Sequence, residues 1–411
     1  MSRRRGARRP HSSAEWGVRG GLAIGAALLG TMSVAHSLAY MTRAAAPERA
    51  HMLAPWDGRI TAILSEKMSG PEASDADRRE ADQLAREALR QDPTAVAAVA
   101  TLGIDAQIRG DTATARKIFP YSEMLSRRDL RTRLWAIEDA VGRGDLPGAL
   151  RNYDIALRTS RIATDLLFPV LVTAIGDDQT RAALVHTLAK RPAWVDQFIA
   201  YVSGNGPDAR ATARLFEALQ QRRLSQSEGA RAALITRLLA QGHVEDAWHY
   251  YATVTPGVDR RMSRDPEFVA NRTTPSPFDW NPVGDSGIAT TIQRGEHGGI
   301  FDFSVPPSLG GPLLEQLQVL PPGSYIIEGR STGIDQSDAT SPYWVLHCGE
   351  GRELGRVVMP ASSRNNGRFL GRFEVPANCP VQHLALMARP TEQMAGTTGQ
   401  IDNVRLFPAG H

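Results

Sequence analysis

The sequence predicts a multidomain chain of α plus β type: an N-terminal transmembrane helix, an α-solenoid of helical hairpins, and a C-terminal antiparallel β-sandwich. Three observations carry this prediction. An uncharged apolar run fills Gly20 to Tyr40. Gly110-Asp111 and Gly144-Asp145 recur thirty-four residues apart, each Asp followed four residues later by alanine, Ala115 or Ala149, and after four more by an aromatic, Phe119 or Tyr153. Beyond Thr273-Thr-Pro-Ser-Pro277, short apolar runs separated by Gly and Pro replace long Ala- and Arg-rich stretches. The expected division is a basic cytoplasmic tail over 1–18, the membrane helix over 19–41, a linker or stalk over 42–74, the solenoid over 75–260, a linker over 261–277 and the sandwich over 278–409.

A chain of 411 residues with 42% hydrophobic and 22% charged residues is globular in composition and long enough for two or three domains. The sequence pI near 9.0 suggests nucleic acid at first sight. Arg3, Arg4, Arg5, Arg8 and Arg9 against Glu15 place +4 within the first sixteen residues, however, which leaves the remainder at −1 of the total +3. A nucleic-acid binder keeps its basic patch on a folded surface that tracks phosphates, so no nucleic-acid partner is expected. As a helix, residues 20–40 reach about 31 Å, the thickness of a bilayer's hydrocarbon core. Five arginines in the first nine residues and Arg19 precede the run and only Arg43 closely follows it, so the positive-inside bias puts the N-terminus in the cytoplasm and the bulk of the chain in the periplasm, as a single-pass inner-membrane protein. A cleavable signal ending at Ser33-Val34-Ala35 or Ser37-Leu38-Ala39, or a buried helix of a soluble protein, are the alternatives. Length favours the anchor.

From Ala81 to Ala88 small residues stand seven apart, and Pro93 follows five further on. The next unit has Gly103, then Gly110 at the turn, Ala115 and Phe119. Gly144, Ala149, Tyr153 and Ala156 repeat the pattern, and Ala247 and Tyr251 restore it at the end, with Gly176-Asp177, Asn205 to Asp208 and Gly242-His243 marking turns between. This resembles the tetratricopeptide repeat, in which small residues allow paired helices to cross closely and each hairpin buries its apolar face on a copy of itself. Ile137 departs from the family pattern, which has a small residue there. The resemblance implies a curved surface that binds protein partners. Leu134, Trp135, Trp194, Phe198, Tyr201 and Trp248 lie at helical spacing and are read as inter-helix core.

In the last third, Phe301 to Val305, Ser324 to Gly329, Tyr343 to Cys348, Arg368 to Val375, His383 to Arg389 and Ile401 to Leu406 each fit a strand. Short strands at this spacing close into a sandwich or jelly roll. Cys348 and Cys379, the only cysteines, suffice for one disulfide in an exported chain, with two buried thiols as the alternative. Phe278-Asp279-Trp280, Pro322-Gly323-Ser324-Tyr325 and Asp402-Asn403-Val404-Arg405-Leu406 follow the order seen in jelly-roll carbohydrate-binding modules of the galactose-binding-like kind, which this region resembles. The resemblance implies polysaccharide as a candidate ligand. It makes Asp402 a candidate ligand of a structural calcium, the only cofactor expected. Sugar binding needs aromatic faces flanked by hydrogen-bonding groups, and Arg330, Tyr343, Trp344, Asn365 and Asn366 are the candidates, although Trp344, on an apolar strand, reads more readily as core than as a sugar platform.

Catalytic patterns are weak. Gly329-Arg-Ser331-Thr-Gly333 spells the nucleophile elbow of serine hydrolases, but that motif needs a strand turning into a helix, and Ile334 to Pro342 shows only turn residues. The expectation is a non-enzymatic, membrane-anchored envelope scaffold whose solenoid binds proteins and whose sandwich binds polysaccharide. A pure protein-interaction adaptor is the alternative; a carbohydrate-active enzyme would need two carboxylates on one cleft, from among Asp279, Glu328 and Asp402.

Overall fold

The computed structural model describes residues 13–284, 287–295 and 298–410, so most of the basic tail lies outside the described residues. The chain divides into two compact units, 1–164 and 165–411. The first opens with α1, Ser13–Thr42, thirty residues long and apolar enough to cross a membrane. It already includes Ser13 to Val18, ahead of the expected boundary, where Ala14 and Glu15 are good helix formers. Leu22, Ile24, Leu28 and Leu29 are all exposed. Only the C-terminal end of α1 packs, where Ala39 meets Ala50 and Ala54 around α2, Pro47–Leu53, and Ile60 on α3, Gly58–Met68.

The segment 42–74 is therefore not a stalk. Its helix α3 pairs with α4, Asp75–Gln91, as the first hairpin, and also touches α5, Val96–Ile108. Gly58 explains the closeness: a β-carbon there would lie 2.6 Å from the Ala88 carbonyl oxygen. Two more hairpins follow, α5 with α6, Thr112–Leu125, and α7, Leu130–Gly142, with α8, Leu146–Thr159. The recurring Gly-Asp pair now has a mechanism. Gly110 and Gly144 take positive φ, 79° and 70°, to end one helix, and the amides of Asp111 and Asp145 reach back to Ala106 and Ala140 oxygens at 2.9 and 2.8 Å. Each Asp side chain then caps the next helix, accepting from Thr114 N or Gly148 N. Ala81, Ala88, Ala115 and Ala149 are all buried, with Phe119 and Tyr153 filling the grooves beside them.

The second unit carries α9, Ala163–Ala174, on its boundary, then α10, Asp178–Leu188, α11, Val195–Asn205, α12, Ala209–Gln221, α13, Glu228–Ala240, and α14, Val244–Val254. Phe168 meets Phe198 edge-on at 5.2 Å, and Trp194 closes the same cluster. Ten antiparallel strands follow. One sheet has the order β1 (Asn281–Pro282), β4 (Gly311–Gln318), β9 (Gln382–Ala388), β6 (Tyr343–Cys348), β7 (Glu353–Val358). The other runs β2 (Ala289–Gly295), β3 (Gly298–Val305), β10 (Thr397–Pro408), β5 (Gly323–Thr332), β8 (Arg368–Val375). Phe301, Phe303, Ile327, Trp344, Phe373, Leu386 and Val404 fill the space between the sheets. Cys348 and Cys379 form a disulfide, with Cα atoms 5.6 Å apart.

Residues 261–277, expected as a linker, belong to the packed structure. Phe268 enters the sandwich core, and Ser263 N donates to the Leu406 carbonyl at 2.9 Å. Arg264 is buried: its Nε donates to the Phe278 carbonyl at 3.0 Å, its Nη1 to Gln318 at 2.6 Å and its Nη2 to the Leu317 carbonyl. The guanidinium carbon stands 5.8 Å from the ring centroids of both Trp248 and Phe278. Trp248 is thus not helix-to-helix core but the face on which the sandwich docks, edge-on to Phe278 at 5.5 Å. Glu228 at the start of α13 accepts from Thr273 N at 2.9 Å and Thr273 Oγ1 at 2.6 Å, and Arg260 makes a bidentate pair with Glu245.

Two stability predictions follow from these contacts. A β-carbon on Gly103 would sit 2.8 Å from the Phe119 ring, which is itself stacked on Trp135 at 4.1 Å and has nowhere to go. Gly103→Val should therefore cost about 1–3 kcal/mol, read as a lower urea midpoint by far-UV circular dichroism; an unchanged midpoint would show that the crossing is slack. Arg264→Leu strands buried acceptors on three segments and should cost about 3–5 kcal/mol. The expected readout is a lower midpoint together with new protease cleavage between residues 255 and 275, and wild-type resistance there would refute it.

Candidate ligand-binding groove

The outward face of the β3–β10–β5–β8 region forms an open groove of about 1410 Å³. Strand alternation decides its lining. On β5, Tyr325, Ile327 and Ser331 point into the core, leaving Glu328 and Arg330 outward. On β8, Phe369 and Phe373 point inward while Arg368 and Leu370 face out. A register shift between Ile401 and Asn403 on β10 puts Asp402 and Asn403 in succession on the groove, beside Arg405. Gly329 has the inward parity of Tyr325, Ile327 and Ser331, and a β-carbon there would stand 2.2 Å from the Asn403 carbonyl oxygen and 2.4 Å from the buried Phe369 ring, so the glycine lets strand and core pack closely beneath the groove. Asn365 completes the rim from the turn before β8, where Asn365 and Asn366 both hold left-handed φ, 49° and 52°.

Charge along the groove is uneven. Arg405 lies opposite Glu328 in the strand register and 3.8 Å from Glu267. Arg330 lies directly opposite Arg368, and among the described residues neither guanidinium has a hydrogen bond or an ion pair. Like charges facing each other across a strand pair are destabilising, so the sheet carries this pair at a cost. Asp402 contributes one more unsatisfied group, a buried Oδ1 without a hydrogen-bond partner.

The sequence-derived sugar contacts do not converge. Arg330 and Asn365 line the groove, and Asn366 is exposed on the adjacent turn without lining it. Trp344 is a correction: it is fully buried between Trp280 at 5.9 Å and Phe369 at 6.4 Å, so its ring is core and offers no platform. Tyr343 lies on β6 of the opposite sheet, its ring already engaged by the Arg356 and Arg389 guanidinium groups at 4.3 and 4.6 Å. Calcium takes six to eight oxygens. Among the described residues no group of three or more His, Cys, Asp or Glu side chains forms around Asp402. Sequence reasoning missed Arg368, Asn403, Arg405 and Glu267; the alternation of β8 and β10 marks the first three as outward-facing, but only the register reveals that they share a face with Arg330.

Of the three carboxylates weighed for catalysis, Asp279 is elsewhere, accepting from Tyr251 Oη at 2.9 Å and Ser276 Oγ at 2.6 Å. Glu328 and Asp402 do share the groove. Ser331, the centre of the elbow-like motif, is buried on β5 against Ser362 and the Gly367 carbonyl, with no helix after it.

No protein-family model and no curated protein matches the chain. Among solved structures it is similar to Pseudomonas aeruginosa pilF, at 15% identity over 49% of this chain and 96% of that one, with a TM-score of 0.27. It is similar also to a carbohydrate-binding module of the Cellvibrio mixtus lichenase 5A, solved with cellotriose, at 16% identity over 30% of this chain and 88% of the module, TM-score 0.20. The enzymatically active domain of bacteriophage CBA120 tailspike protein 4 is similar at 12% identity over 32% of this chain, which spans only 20% of that structure, TM-score 0.24. Scores this low carry no inference about ligand or activity; the fold itself, a helical repeat region followed by a β-sandwich, stands on the coordinates.

Proposed function

We propose that this chain is a non-enzymatic binding protein of the bacterial cell envelope, held in the inner membrane by α1, with hairpin repeats that bind protein partners and a sandwich that binds polysaccharide. The observation that supports the second activity best is the open polar groove, which sets donors (Arg330, Arg368, Asn365, Asn403) among acceptors (Glu328, Asp402). A hydroxyl-rich chain needs both kinds of partner at once. An extended peptide adding as a strand is disfavoured, because β10 and β5 at the groove's centre are each paired on both sides.

The detergent-solubilised full chain should bind polysaccharide on a glycan array and release no new reducing ends from the polymers it binds. Background signal throughout would leave the protein-adaptor reading. Reducing ends that disappear in both Glu328→Gln and Asp402→Asn would replace binding by hydrolysis. For topology, a reporter fused after residue 60 should be active only outside the cytoplasm, and activity inside would reverse the proposed orientation.

A further inference from the structure

We infer that the groove selects an acidic polysaccharide, seating a sugar carboxylate on the Arg330–Arg368 pair. This rests on the polysaccharide reading above and adds the charge of the ligand. Two guanidinium groups facing each other across strands β5 and β8, neither in an ion pair or hydrogen bond among the described residues, form a donor set that lacks its acceptor. Arginine's planar fork matches a carboxylate bidentately, and a charge-assisted pair of this kind is stronger than a neutral hydrogen bond. A bound carboxylate would also relieve the repulsion between the two cations, so the ligand gains what the free sheet gives up.

The surroundings choose a sugar acid over an acidic protein segment. Glu328 stands two residues from Arg330 on the same face, and Asp402 holds a buried, unpartnered carboxylate oxygen within the same groove. A chain with consecutive carboxylates would be repelled by both. A uronic acid polymer presents one carboxylate per sugar with hydroxyl groups between, so its carboxylate meets the arginine pair while its hydroxyls donate to Glu328 and Asp402.

The test is calorimetric titration of the detergent-solubilised full chain with polygalacturonate and with polymannuronate, each compared with the same polymer after carboxyl reduction, and with poly-glutamate. Binding of at least one uronate polymer is expected, with a loss of roughly tenfold or more on carboxyl reduction and a similar loss in Arg330→Gln and in Arg368→Gln. Arg372→Gln, exposed on β8 but outside the groove lining, should change affinity by less than about twofold. Equal affinity for the carboxyl-reduced polymers would overturn the acidic preference while leaving the polysaccharide reading intact. No binding to either uronate polymer, with neutral glycans still bound on the array, would do the same. Poly-glutamate binding as tightly as the uronates would overturn the choice of a sugar ligand.

Discussion

The second unit depends on one buried cation. Arg264 ties three segments together because its fork presents donors in fixed directions: to the Phe278 carbonyl that opens the sandwich, to Leu317 and Gln318 on β4, and back to Met262 in its own loop. An apolar residue of the same size would fill the space and leave those acceptors bare. Burial costs the charge dearly and lowers its pKa to about 10, with the nearby Tyr251 and Asp279 opposing the shift, so the group still ionises at neutral pH. Asp279 supplies the compensating negative charge and is itself fixed by Tyr251 and by the Ser276 amide at 2.9 Å. The Trp248 and Phe278 rings near the guanidinium add a cation–π contribution that strengthens as water is excluded.

The groove obeys a different economy. Inside the sandwich the inward positions of β5 and β8 are apolar, glycine or, at Ser331, hydrogen-bonded. Outside, the same strands place Arg330 beside Arg368, an arrangement that folding does not favour and that the paired alternative two residues away, Glu328 opposite Arg405, shows to be avoidable on this very sheet. Beneath that face Gly329 has the inward parity, and a side chain there would collide with the Asn403 carbonyl and the buried Phe369 ring.

Much of this architecture was legible in the sequence, for reasons that differ by region. The Gly-Asp pairs announced themselves because two local rules coincide at one dipeptide, a left-handed helix end and an N-cap, and neither depends on distant residues. The six anticipated strands carry their own alternation. β4 was missed because Gly-Pro-Leu-Leu begins it without alternation, and both leucines are buried. The stalk and linker readings failed because tertiary contacts order both segments: Gly58 permits a close helix crossing, and Phe268 is drawn into the sandwich core. The groove itself was only half visible. Arg330 and Asn365 are polar groups on exposed positions, whereas the identity of their neighbours is a matter of strand register, which local sequence does not encode.

Tyr251 joins the two halves of this account. It occupies the repeat position held by Phe119 in an earlier hairpin, where the ring fills the groove left by small residues and stacks at 4.1 Å on Trp135 of the helix that follows. No further hairpin follows α14, and a repeat array that simply stopped there would expose the face each hairpin needs to bury. Phe278 supplies the missing aromatic, 5.2 Å from Tyr251, and the Tyr251 hydroxyl, which phenylalanine would lack, reaches Asp279 at 2.9 Å. At this position the ring's neighbour is a loop rather than another helix, and the hydroxyl satisfies that loop's carboxylate. By the same contacts the sandwich packs directly on α14, and the polar groove is carried on a body fixed to that helix rather than tethered to it.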